Sequence, residues 1–210
     1  PDVVGMRNAQ LTAPRTYINV GGRASIPNIR GVHDVPYLTN TTILALDYVP
    51  KHLVVVGGSY VGLEFAQMFR RFGAEVTVVE KMPKLIARED DDVSEGIRQI
   101  FENEGIHVRT SAECITLSRH DEGVAVGVDC VEGPPEAIGS AVLLAVGRAP
   151  NTSDLGLDRA GVAVDERGYI KVDDALATNV PGICALGDCN GRGAFTHTAY
   201  NDFEIVAANL

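Results

Sequence analysis

The sequence predicts an α/β fold, a sheet of parallel strands covered by helices. Two observations predict it. Residues 53–80, LVVVGGSYVGLEFAQMFRRFGAEVTVVE, read as strand, glycine turn, helix and strand, ending in an acid. Leu53–Val56 is a short apolar run rich in valine, and Val76–Val79, valine at all but Thr77, forms the second strand. Such runs belong to parallel strands buried on both faces, not to half-exposed ones.

The first strand, Leu53–Val56, feeds a turn at Gly57, Gly58 and Ser59. Phe65, Ala66, Met68, Phe69 and Phe72 recur at three-to-four spacing and mark the helix; Gly73 ends it. Gly62 falls where the helix must pass close to the strand. Glu80 stands at the end of the second strand, 23 positions after Gly57. The order and spacing are those of a dinucleotide-binding βαβ unit: N–H groups at a helix start attract a diphosphate, and an acid about 20 residues on bonds a ribose hydroxyl. The strict glycine pattern is broken at Ser59, whose hydroxyl can donate a hydrogen bond. The competing interpretation is a tight βα turn with no ligand. Glu80 favours NADH over NADPH, because a 2′-phosphate would face its carboxylate; adjacent Lys81 works against that preference.

Around this unit, Tyr17–Val20 reads as a strand ending at Gly21–Gly22. Asn40, Thr41 and Thr42 offer caps for a short helix, ILAL, closed by Pro50. Asp90, Asp91 and Asp92 place negative charge at the start of a helix, as its dipole favours. That helix carries Val93, Ile97, Ile100 and Phe101 and stops near Gly105. Ile106–Leu117 and Val124–Val131 alternate around HDEG as an antiparallel hairpin. Ala141–Val146 is a further apolar strand, short strands are expected near 169–172 and 183–186, and a last helix near Thr198.

Composition sets limits. The chain has 210 residues, 45% of them apolar, and a formal net charge of −10, which argues against a nucleic-acid surface. No apolar run approaches a membrane span. The first ten residues lack both a starting Met and an apolar signal segment, so they read as a cut in a longer chain. Cys114, Cys130, Cys184 and Cys189 show no metal-ligand spacing, the histidines are scattered, and no metal site is expected. Reduced thiols and a cytoplasmic location are the expectation.

GGRASIPNIRG, GGSYVGLE, VTVVE, AVGRAPNT and ALGDCNG follow one another in this chain. In that order the sequence resembles the flavin-dependent pyridine nucleotide–disulfide oxidoreductases, the family of lipoamide dehydrogenase, glutathione reductase and mercuric reductase. The tail GAFTHTAYNDFEIVAANL resembles the mercuric-reductase branch most. The resemblance implies a Rossmann-like FAD/NAD(P)-binding architecture: residues 41–150 a complete NAD(P) domain, 1–40 and 151–210 parts of a split FAD domain. It also implies a homodimeric parent enzyme with FAD and NAD(P)H as cofactors, of which this is a central piece. The FAD glycine motif, the early redox cysteine pair and the interface domain of such enzymes have no counterpart here. Cys184 and Cys189 share the spacing of that redox pair, but Cys184 lies in an apolar strand and Cys189 follows Asp188, so a redox disulfide is not expected.

By resemblance, Gly57, Gly58, Ser59, Tyr60, Val61 and Gly62 form the NAD turn. Tyr60 matches the aromatic that covers the nicotinamide pocket. Glu64 matches the acid facing the nicotinamide amide. Glu80 stands at the ribose with Lys81 beside it as a further cofactor-binding candidate, Cys114 sits near a position whose backbone touches adenine in relatives, and Gly147 matches the glycine near the adenosine. Asp188 matches the acid on the ribityl chain of FAD, and Thr196 and His197 the helix start facing the flavin carbonyl. No catalytic residue is expected in the chain. The implied activity passes hydride from NAD(P)H to flavin and on to a disulfide or metal-ion substrate. A cysteine-independent flavin reductase of ferredoxin- or rubredoxin-reductase type and a non-catalytic nucleotide-binding module are the alternatives. The chain alone is expected to bind NADH weakly, to hold little FAD, not to turn over, and to self-associate through apolar surface left uncovered.

Overall fold

The computed structural model describes residues 13–129 and 134–210. The first ten residues, read above as a cut, and Cys130 lie outside them. The chain divides into two compact units, one of residues 24–148 and one combining the stretch up to Arg23 with Ala149–Leu210. The passages between them lie in two short strands, β2 (Gly22–Ala24) and β10 (Arg148–Pro150).

The 24–148 unit is built on a four-stranded parallel sheet. Its strands are β3 (His52–Val56), β4 (Glu75–Val79), β5 (His107–Arg109) and β9 (Ala141–Leu144), in the order β5-β4-β3-β9. Helix α1 (Tyr60–Arg71) links β3 to β4, and α2 (Asp91–Asn103) links β4 to β5. Alternation along the strands explains their largely apolar sequence, which the buried Thr77 interrupts in β4. Leu53, Val55, Val76, Val78 and Leu143 pack with Leu63, Ala66, Phe69 and Phe101 of the helices. Val54, Val56, Val79, Val142 and Leu144 pack the other way, on Leu117, Val124 and Val126. Those residues belong to an antiparallel sheet of β6 (Glu113–His120), β7 (Gly123–Asp129) and β8 (Glu136–Gly139). Strands with both faces buried have no polar side, as a central parallel strand requires.

In the other unit, β1 (Thr16–Ile18) pairs in parallel with β11 (Ile183–Ala185). A one-turn helix α3 (Leu157–Ala160) and a long helix α4 (Thr196–Ala208) complete it. Leu157, Val162, Ile170, Ala185 and Cys189 form its main apolar cluster. Among the described residues no helix is long and apolar enough to cross a membrane.

Several elements depart from the sequence reading. The run 106–117 is not one strand. His107–Arg109 joins the parallel sheet beside β4, Ser111 at positive φ breaks the run before β6, and Cys114, also at positive φ, falls inside β6 where its pairing with β7 shifts register. The first strand is Thr16–Ile18; Gly21, at φ +66°, then turns the chain, and Gly22 opens β2 instead of ending β1. ILAL makes only a 3-10 turn at Ile43–Ala45, with Thr42 Oγ1 accepting the Thr39 N–H at 2.8 Å instead of capping it. On α2 the inward residues are Ser94, Ile97 and Phe101, while Val93 and Ile100, seven apart on the adjoining flank, are exposed. Residues 169–172 form an isolated bridge, Val164 to Ile170, because the amides of Ile170 and Lys171 go to Cys189 and Ala163. The last helix starts at Thr196, two residues before the expected place.

Candidate nucleotide site

The carboxyl ends of β3, β4 and β9 lie at one end of the parallel sheet, the end where α/β sheets bind ligands. Helix α1 opens there. The N–H groups of a first helical turn have no carbonyls behind them to accept them, and Ser59 at the cap position gives no side-chain bond. Ser59, Tyr60 and Val61 are exposed, so a positive helix end faces solvent. Arg70 and Arg71 in the last turn suit the opposite pole.

The glycines serve packing first. A Cβ on Gly62 would come to 2.1 Å from the Gly57 carbonyl oxygen, and one on Gly57 to 2.4 Å from the Ala145 carbonyl oxygen. Gly57 also holds φ at +116°. A Cβ on Gly58 would meet Leu85 Cδ2 at 2.7 Å and the Glu80 carboxylate at 3.0 Å. Side chains at these positions are thus excluded by the protein itself, before any phosphate is considered.

Glu80 is fixed at the tip of β4. Its Oε2 accepts the Gly58 N–H at 2.5 Å and its Oε1 the Met82 N–H at 2.7 Å. Each carboxylate oxygen keeps a second lone pair. The loop after Glu80 folds over the turn: the Ile86 N–H donates to the Gly58 carbonyl at 2.8 Å, with Ile86 at φ +39°. Lys84 Nζ bonds the Glu89 carbonyl and the Asp91 carboxylate, both at 2.6 Å, and that lysine holds the Asp91 carboxyl below its usual range. The Tyr60 hydroxyl donates to the Glu89 carboxylate, which raises the phenol above its ordinary pKa.

The remaining sequence candidates of this unit distribute as follows. Glu64 and Lys81 are exposed. Cys114 is exposed at φ +50°, beyond the end of β5. Gly147 follows β9, is exposed at φ +136°, and has no atom within 4 Å of where a Cβ would stand.

The second group lies in the other unit. Asp188 is half-buried in a 3-10 turn, Gly187–Asn190, and Thr196 and His197 open α4. The His197 ring stacks on Phe195 at 5.3 Å. Cys184 is half-buried in β11, and Cys189 is fully buried with its thiol donating to the Leu186 carbonyl. Burial pushes the Cys189 thiol pKa up.

Sequence reasoning missed Glu89 and Asp202. The buried Asp202 accepts bonds from Gly187 and Asn190. Its one sequence signal is that it shares the inner face of α4 with Val206, four residues on. A cleft of about 300 Å³ lies in the other unit, lined by Arg23, Thr152, Leu157 and Arg167 among others. The mouth is identified by its donors and its acid, not by its volume.

A model of the family described as pyridine nucleotide-disulphide oxidoreductase matches residues 3–202. Mercuric reductase from Streptomyces lividans is 38% identical over 201 residues, covering 96% of this chain and 42% of its own length. The probable pyridine nucleotide-disulfide oxidoreductase RclA of Escherichia coli (strain K12) is 35% identical over 204 residues, covering 97% and 45%. The solved structure of the HOCl-induced flavoprotein disulfide reductase RclA from Escherichia coli superposes with a TM-score of 0.85 at 35% identity, over 92% of this chain and 44% of that one. The chain thus spans less than half the length of the relatives it matches.

Proposed function

The chain belongs to the pyridine nucleotide-disulphide oxidoreductase family, and on that premise we propose that it carries the nicotinamide-dinucleotide site and part of the FAD site of a flavin-dependent oxidoreductase. The observation that supports this most is the Glu80 carboxylate, held at the strand end beside the open first turn of α1. A dinucleotide fits these residues. The amides of Ser59 to Gly62 hold its diphosphate, and the spare lone pairs of Glu80 take the ribose hydroxyls. A carboxylate there repels a 2′-phosphate, so NADH is preferred to NADPH.

Residues 41–150 act as the NAD(P) domain in this reading; the segments 1–40 and 151–210 belong to the FAD domain. The 24–148 unit is the compact body that supports the first assignment. Tyr60 covers and uncovers the nicotinamide position, and Glu64 faces the nicotinamide amide. Cys114 and Gly147 border the adenosine. Asp188 bonds the ribityl chain of FAD, and the α4 start at Thr196 and His197 presents N–H groups to the flavin carbonyl. When both cofactors are bound, NAD(P)H supplies a hydride, flavin accepts it, and a disulfide or metal-ion substrate receives the electrons. The chain's residues bind and orient these groups. The whole protein is a cytoplasmic homodimer in this reading.

Titration of the chain with NADH, followed by nicotinamide fluorescence, tests the proposal. Weak, saturable binding that Gly58→Arg abolishes is expected. No binding at millimolar NADH overturns it. NADH oxidation by the intact protein with a disulfide, a mercuric salt or a quinone then identifies the acceptor; oxidation with quinone alone favours the cysteine-independent reductase.

A further inference from the structure

Helix α4 buries an acid where an amphipathic helix would bury an apolar residue. Asp202 is 7% exposed, while Tyr200 and Phe203 on the same helix are 62% and 55% exposed. Burying a carboxylate is costly unless hydrogen bonds replace its water. Here one oxygen, Oδ2, accepts two: the Gly187 backbone N–H at 2.8 Å and Asn190 Nδ2 at 2.8 Å. Both donors belong to the Gly187–Asn190 turn, and Asp188 sits between them.

The turn is also packed on α4. Gly187 holds φ at +68°, and a Cβ there would stand 3.5 Å from the Ala199 Cβ and 3.0 Å from Asn19 Oδ1. Asn190 is itself buried; its Nδ2 also reaches the Ala185 carbonyl at 3.2 Å, and its Oδ1 accepts the Arg192 N–H at 2.9 Å. The acid therefore ties the turn to the helix at one atom, and Asn190 carries the link on to β11.

We propose that Asp202 is a positioning residue of the flavin site, holding the Gly187–Asn190 turn against α4 so that Asp188 stands at a fixed place relative to the helix start at Thr196. This rests on the reading of Asp188 and Thr196 as flavin contacts. Asp202 touches no flavin atom in this scheme. It acts through the two donors, and a geometric error of about 1 Å in such a contact is enough to weaken it.

The test measures FAD affinity of the intact protein after flavin removal, by quenching of flavin fluorescence, together with hydrogen exchange at the Gly187 amide. Asp202→Ala removes the shared acceptor; FAD affinity falls about tenfold or more, and the Gly187 amide exchanges faster. Asp202→Asn puts a carbonyl oxygen in the same place; affinity stays within roughly threefold of the parent and the amide stays protected. Asp188→Asn is the control for the underlying reading and weakens FAD. If Asp188→Asn weakens FAD and Asp202→Ala does not, the positioning role is overturned. The same holds if Asp202→Asn is as weak as Asp202→Ala. If Asp188→Asn leaves FAD affinity unchanged, the flavin assignment itself fails and this inference falls with it. Should Asp202→Ala not fold, Asn190→Ala removes one donor and keeps the carboxylate. A loss of about threefold then supports the proposal, and unchanged affinity overturns it.

Discussion

The carboxylate of Glu80 accepts the backbone N–H of Gly58, 22 residues earlier in the chain, at 2.5 Å. The end of β4 and the turn after β3 are thereby one piece. Any group that binds the α1 mouth meets Glu80 in a set position, without the entropic cost of ordering it first.

On the proposed reading, coenzyme choice follows from this. Glu80→Arg is expected to weaken NADH and to shift the NADPH-to-NADH affinity ratio toward NADPH by about tenfold. Glu80→Gln keeps an acceptor for Gly58 and isolates the effect of charge. Titration of each variant with both coenzymes measures the shift. An unchanged ratio in Glu80→Arg removes Glu80 from the recognition of the ribose.

Two glycines make a contrasting pair. Gly62→Ala forces a Cβ to within 2.1 Å of the Gly57 carbonyl oxygen, so α1 must move; a loss of about 1–3 kcal/mol is expected. Gly96 lies inside α2 with nothing within 4 Å of a Cβ, so Gly96→Ala is expected to stabilise by about 0.5–1 kcal/mol. Urea denaturation of the two variants decides whether glycine is held by crowding at the first site and by nothing at the second.

His52 predicts a pH dependence. Burial lowers its pKa from 6.5; the neighbouring His107 adds to the effect and Glu75 opposes it. Its Nε2 lies 2.9 Å from Thr77 Oγ1. The unfolded chain therefore takes up this proton before the folded one does. The neutral ring's contribution is complete above pH 6.5 and is lost as the pH falls from there through the folded pKa. His52→Gln should flatten the fall of the urea midpoint between about pH 7 and pH 5. An identical slope in parent and variant removes His52 as the cause.

Tyr60 offers a spectroscopic check on the loop over the turn. The Glu89 hydrogen bond is the largest cause of its raised pKa. Glu89→Gln should bring one tyrosine in the ultraviolet pH titration back down toward its ordinary value near 10.0. A titration curve that does not move separates Tyr60 from Glu89 in solution.

The strand–turn–helix–strand core was legible because its signals are local and redundant. β3 and β4 are apolar at every buried position but Thr77, Gly62 is held by the Gly57 carbonyl five residues before it, Gly58 by Glu80 and Leu85 at and just past the end of the next strand, and Glu80 is the first polar side chain after β4; only Gly57, held by the Ala145 carbonyl, depends on a distant partner. The rest depended on distant partners. Nothing in EAIG marks β8; it is a strand because β7 pairs with it. Tyr169–Val172 has strand-like composition, but its amides are claimed by residues elsewhere in the unit. Asp202 looks like a surface acid until the Gly187 N–H, 15 residues away, is set against it. The glycine turn was foreseen for one reason and is enforced by another: close packing excludes side chains there whether or not a ligand is present.

The Ser25 amide donates to the Gly147 carbonyl at 3.0 Å, so the two ends of the 24–148 unit meet. A body whose entry and exit adjoin can interrupt a host chain at a single loop, since bridging so short a gap takes little entropy from either part. The segment has the geometry of a cassette. Grafted into a related chain, or made alone with a short linker joining its ends, it is expected to fold and, on the proposed reading, to carry its coenzyme preference with it.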